Sequence, residues 1–106
     1  MKEELLKIIN HYGVMPQLKY FQSEVFELNE AIIQKEYPAI SKNSKPKDLE
    51  SYETRHIAEE IADVLVMVYQ FLEYYGIDQV EVCKTMDYKI DRQIERIANE
   101  KHNREV

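Results

Sequence analysis

Residues 57–75 read IAEEIADVLVMVYQFLEYY, and the secondary structure assigned to them decides the fold. The β-branched run IADVLVMVY has the composition of a buried strand. However, the stretch holds no glycine or proline and exceeds the usual strand length of roughly 3–10 residues. Ile57, Ile61, Val64, Leu65, Val68 and Leu72 also recur with the 3.6-residue period of a helix. Ala58, Ala62, Val66 and Tyr69 make the other side apolar as well, so this helix, about Ser51 to Tyr75, is expected at the centre of the fold. Glu60 and Asp63 stand inside its most apolar part, where a carboxylate needs a partner.

Working outward, three more helical segments appear. The first, roughly Lys2 to His11, carries Leu5, Ile8 and Ile9 on one side and stops before Gly13. The second begins near Pro16, a favoured first-turn residue, and runs to Gln34 or Glu36, with Leu18, Phe21, Val25, Leu28 and Ile32 as its apolar seam. Pro38 ends it, and YPAISKNSKPKDLE, Tyr37 to Glu50, reads as a long polar loop, a connector or a lid. After Gly76 closes the central helix, Asp78 caps the fourth, about Gln79 to Lys101, whose seam is Val82 or Cys83, Met86, Ile90, Ile94 and Ile97. The chain of 106 residues has two glycines and three prolines. The expectation is therefore one all-α domain over residues 1–106, a small antiparallel bundle of four main helices. The surplus apolar surface of the central helix, with Tyr69, Phe71, Tyr74 and Tyr75, predicts an oligomer, a homodimer or homotetramer.

Composition narrows the function. A net charge of −6 disfavours nucleic acid and anionic membranes as partners. The longest apolar run, Val64 to Tyr69, is far short of the roughly 20 residues that span a bilayer. The single cysteine, Cys83, fits a reducing compartment, reads as a small core residue on the fourth helix, and with the absence of a signal core predicts a cytoplasmic protein. No glycine-rich phosphate loop and no Ser or Cys triad is present. His56 follows Glu53 in a single ExxH, and a di-iron carboxylate bundle needs two.

The chemistry lies in two acidic pairs. Glu24 and Glu27 in SEVFELNEAI, like Glu60 and Asp63 in AEEIADVLVM, are three residues apart and so share a helix face. No Lys or Arg falls between Glu24 and Ile33 or between Ile57 and Tyr75. Like charges on apolar faces without a basic partner are held by protonation or by a cation. An all-oxygen set suits magnesium, or manganese, over zinc. The alternative for either pair alone is a solvated acidic face.

The order QL…SEVFELNEAI, a loop, AEEIADVLVMVYQFLEYYGID, then MDYKIDRQIER resembles the MazG-like all-α nucleoside triphosphate pyrophosphohydrolases, relatives of the all-α dimeric dUTPases. That family carries EExxE on one helix and ExxD on the next long one. Glu24, Glu27, Glu60 and Asp63 match those places, and Ser23 stands where the first acid of EExxE would be. The resemblance implies hydrolysis of a nucleoside triphosphate to the monophosphate and pyrophosphate. It also implies a magnesium site on the four carboxylates, with Glu24 or Glu27 orienting the attacking water.

On the fourth helix Lys89, Arg92 and Arg96 form one basic strip, with a solvated face paired to Asp91 and Glu95 as the alternative. By the resemblance, Lys89 and Arg92 contact the phosphates and Gln17, in the QL pair, contacts base or sugar. Tyr20 and Tyr88 are candidates to stack on a base. A reading of a different class is a non-catalytic helical module that binds a protein through its tyrosine-rich face.

Overall fold

The computed structural model describes residues 1–37 and 49–105, and among these every regular element is a helix: α1 Lys2–Tyr12, α2 Val14–Glu36, α3 Leu49–Tyr75 and α4 Gln79–Glu105. Met1–Tyr74 and Tyr75–Val106 are two compact units. The expected loop Tyr37–Glu50 lies mostly outside the described residues. No helix among those described is long and apolar enough to cross a membrane.

In the first unit α1 and α2 are almost continuous in sequence and are separated by a single residue, Gly13. The Gly13 N–H closes the end of α1 by donating to Ile9 O at 2.8 Å, and its φ of 90° with ψ of 161° is a conformation open essentially to glycine alone. Leu5 and Ile9 of α1 are buried, and Lys2 reaches Glu73 of α3 at 3.7 Å. Between α2 and α3, Phe21 meets Phe71 edge-to-face with ring centroids 5.9 Å apart, a contact worth about 0.5–1.5 kcal/mol beyond its buried area. Phe71, read from sequence as part of a subunit interface, therefore packs within its own chain.

The buried stripe of α2 differs from the expected seam. Gln17, Glu24 and Ala31 are buried, while Leu18, Val25 and Ile32 are exposed. The stripe has a seven-residue repeat, two helical turns, and two of its three members are polar. On α3 the most deeply buried side chains are Met67 and Gln70, whereas Ile61, Leu65 and Val66 are exposed.

In the second unit Asp78 caps α4 as expected, its Oδ1 accepting the Val80 N–H at 2.9 Å. Gly76, at φ 64°, sits between α3 and this cap. The α4 seam of Met86, Ile90, Ile94 and Ile97 is exposed. Cys83, expected in a core, is exposed too, because α4 offers no covered face at that position.

The two glycines predict different tolerances. A Cβ on Gly13 meets only Pro16 Cδ at an ordinary 3.8 Å, so the cost of Gly13→Ala is backbone strain, about 1–3 kcal/mol. Gly76→Asn, at a left-handed position Asn tolerates, costs less. Urea midpoints of the two variants check this, and equal midpoints would contradict it.

Candidate metal centre and adjoining cavity

Glu24 reaches the centre because it belongs to the buried stripe of α2. Glu60 and Asp63, one turn apart on α3, present their carboxylates from one face. One oxygen from each of the three lies within 4.8 Å of the others. Glu24 is 5 % exposed and the Glu60 side chain 12 %, and Oε2 of each is buried without a hydrogen-bond partner. Native proteins rarely leave buried polar atoms unpaired.

The electrostatics are those of crowded acids. Burial is the main cause that pushes the Glu24 carboxyl above its ordinary value, with the charges of Glu27, Asp63 and Glu60 adding to it and the Tyr20 hydroxyl, which donates to Glu24, opposing. Glu60 is raised by burial first and then by the charge of Glu27, while His56 pulls it down. His56 Nδ1 stands 3.9 Å from Glu60 Oε1, with its ring stacked on Tyr52. A hard divalent cation fits this donor set: Glu24, Glu60 and Asp63 would hold it, and it would supply the positive charge that crowded, partly unpartnered carboxylates need.

Not every residue expected here joins the trio. Glu27 acts on Glu24 through its charge and on Glu60 through its charge and a side-chain hydrogen bond, but it is exposed and its oxygens are not among the three that converge. Ser23 is also exposed, and its hydroxyl turns back to Lys19 O at 3.4 Å. Ser23 and Glu27 border the same shallow outer groove of α2.

Beside the trio a cavity of about 650 Å³ opens among α1, α2 and α3. Ile8, Pro16, Val66 and Met67 give it apolar walls, and Glu24 and Asp63 form its acidic edge. Gln17, expected to contact a ligand, lines this cavity, and its Nε2 donates to Gln70 Oε1 at 2.8 Å. Among the described residues no Lys or Arg lines it. The basic residues of α4 make their own group: Lys89, Arg92 and Arg96 border a shallow basin of about 270 Å³ with Gln93, and the Arg92 guanidinium lies 5.7 Å from the Tyr88 ring.

Sequence reasoning missed three contacts at the centre. Tyr20 and His56 each precede an acid by four residues, the spacing that stacks side chains on one helix face. Gln70 interrupts an apolar run as Glu60 and Asp63 do.

Among the described residues every element is helical, and three carboxylates, Glu24 buried, Glu60 half-buried and Asp63 exposed, converge at the acidic edge of a cavity. Residues 15–97 match the MazG nucleotide pyrophosphohydrolase domain, and the chain belongs to that family. No curated protein and no solved structure matches it.

The charge crowding makes a prediction about stability. Glu24→Gln and Glu60→Gln each remove a buried like charge, so the cation-free variants are expected to melt above the cation-free parent, and added magnesium to raise the parent far more than either variant. Both carboxyls ionise at higher pH folded than unfolded, so folding takes up protons, and parent stability without cation rises as pH falls from neutrality towards the ordinary 4.5. Thermal melts with chelator and with magnesium at two pH values check both statements. Variants that melt lower than the parent in chelator would refute the crowding argument.

Proposed function

We propose that the protein hydrolyses a nucleoside triphosphate to the monophosphate and pyrophosphate, with magnesium, or manganese, held by Glu24, Glu60 and Asp63 and approached by Glu27. The observation that carries this reading is the convergence of one oxygen each from Glu24, Glu60 and Asp63 within 4.8 Å at the acidic edge of a cavity, where Glu24 and Glu60 each also bury an oxygen with no hydrogen-bond partner among the described residues. The family supports it, since its members are nucleotide pyrophosphohydrolases.

The residues divide the work. The cavity receives the base and sugar: its apolar walls suit a planar ring, and its acidic edge is where the triphosphate meets the carboxylates. Tyr20 fixes Glu24 by its hydrogen bond and keeps the carboxylate aimed at the trio. When bound, the cation neutralises triphosphate charge and draws the phosphate oxygens to the carboxylates. Glu27, exposed and outside the trio, is the carboxylate left to orient water and take its proton. Water attacks the α-phosphorus, the bond to the α,β-bridging oxygen breaks, and pyrophosphate leaves with the electron pair. Lys89 and Arg92 are proposed as phosphate contacts on their chemistry, a point charge and a bidentate fork. Their shared basin with Arg96 supports the assignment.

The wider architecture follows the same reading. Along α2 the partners run Gln17, Glu24 while along α3 they run Gln70, Asp63, which supports an antiparallel arrangement of the two. The family match spans residues of both compact units and supports a single functional domain over 1–106. The exposed α4 seam supports a homodimer or homotetramer.

Incubation of the protein with magnesium and the common NTPs and dNTPs is expected to release monophosphate and pyrophosphate. Glu60→Gln should lower turnover by about 10²-fold or more with the helical content retained. Lys89→Ala and Arg92→Ala should mainly raise KM. Release of orthophosphate in place of pyrophosphate, or full activity in Glu60→Gln, would overturn the proposal.

A further inference from the structure

The floor of the cavity holds a pair of amides that the reaction leaves unused. Gln70 is 1 % exposed and Gln17 7 %, so both side chains are buried well beyond what is usual for glutamine. Gln17 Nε2 donates to Gln70 Oε1 at 2.8 Å, and Gln70 Nε2 is turned to Met67 Sδ at 3.6 Å.

These contacts favour one orientation of the pair. If Gln17 alone turned over, two carbonyl oxygens would face each other with no hydrogen between them. If Gln70 turned as well, its carbonyl would lie against a thioether that donates nothing, which leaves a buried acceptor unpaired at a cost. In the observed arrangement Gln17 keeps its Oε1 and its second N–H for a ligand, and Gln17 lines the cavity.

Taking Gln17 as the base contact that the family resemblance implies, we propose that Gln70 is the positioning residue that fixes which end of the Gln17 amide meets which position of the base, and so sets selection between keto and amino bases. This rests on the reading that the cavity receives the base. Keto bases present a carbonyl next to a ring N–H, whereas amino bases present an amino group next to an unprotonated ring nitrogen. At those two positions the polarity is reversed. With the base anchored through its phosphates, a fixed amide complements one polarity and opposes the other, whereas a freely turning amide accommodates both. The proposal therefore predicts selection between bases of equal size, uracil against cytosine and hypoxanthine against adenine, which cavity shape alone does not separate.

The test is kcat/KM for dUTP, dCTP, dITP and dATP in the parent and in Gln70→Met, a substitution of similar volume beside Met67. The parent is expected to favour the same polarity in both size-matched pairs, by roughly fivefold to a hundredfold, the discrimination a bidentate contact supplies. Gln70→Met should bring both ratios to within about twofold of one, with the change falling in KM. A parent without keto–amino discrimination, or a folded Gln70→Met that keeps the parent ratio, overturns the proposal. Should Gln70→Met not fold, Gln17→Met reads the same ratio from the cavity side, and a retained ratio there overturns it equally. If no triphosphate is hydrolysed, the hydrolytic reading falls by itself, and calorimetric binding of dUMP and dCMP decides this one. Unequal affinities in the parent that become equal in the variant uphold it, while equal affinities, or no binding of either, overturn it.

Discussion

Two carboxylates buried with an oxygen each left unpartnered are the constraint on which the rest of the structure turns. Glu24 and Glu60 face one another across α2 and α3 with Asp63 beside them, and burial raises both above their ordinary ionisation range. A packed apolar contact at this point would have been simpler, since ionised carboxylates gain nothing from being near each other and lose their hydration. The arrangement makes physical sense once a cation is counted among its members. On the proposed reading, the cost of crowding the acids would become affinity for a cation.

That constraint explains why α2 turns the face it does. The buried stripe passes through Gln17, Glu24 and Ala31, so the helix directs its polar residues inward at the level of the centre and the cavity. Leu18, Val25 and Ile32 are left exposed as a result. Packing between α2 and α3 is carried by contacts such as Phe21 on Phe71, Phe21 lying between Gln17 and Glu24 on α2 and Phe71 directly after Gln70 on α3. The apolar pattern that forms the helix and the polar stripe that forms the site thus occupy adjacent faces of the same element.

The same geometry accounts for what could be read from the chain alone. All four helices were legible, with boundaries within about two residues for three of them, because glycine, proline and Asp78 punctuate the pattern strongly. α4 runs to Glu105, four residues beyond the expected Lys101, since its end carries no stop signal. Four converging carboxylates were expected from acids set in apolar runs that lack Lys or Arg; oxygens of Glu24, Glu60 and Asp63 come together, and Glu27 stays outside that trio. The burial of Gln17 was not legible. An amide near a helix start looks the same whether solvated or buried, and its partner Gln70 lies 53 residues away in sequence, so only the packing of α2 on α3 reveals the pair. The place of Cys83 was misread because an apolar seam was equated with a covered one, and the α4 seam is exposed.

Ser23, the departure from the family's acidic pattern, acquires a meaning from the faces of α2. Successive helical residues are about 100° apart, so position 23 points away from the stripe that buries Glu24. Its hydroxyl bonds back to Lys19 O, and it borders the outer groove together with Glu27, one turn on. The missing carboxylate therefore belongs to the side of Glu27 and not to the trio. The three carboxylates whose oxygens converge, Glu24, Glu60 and Asp63, do not include that position. What the serine changes is the neighbourhood of Glu27: one negative charge fewer, four residues away, lessens the repulsion on the carboxylate assigned to orient water. On the proposed reading the departure would bear on the handling of water, while the three converging carboxylates are retained.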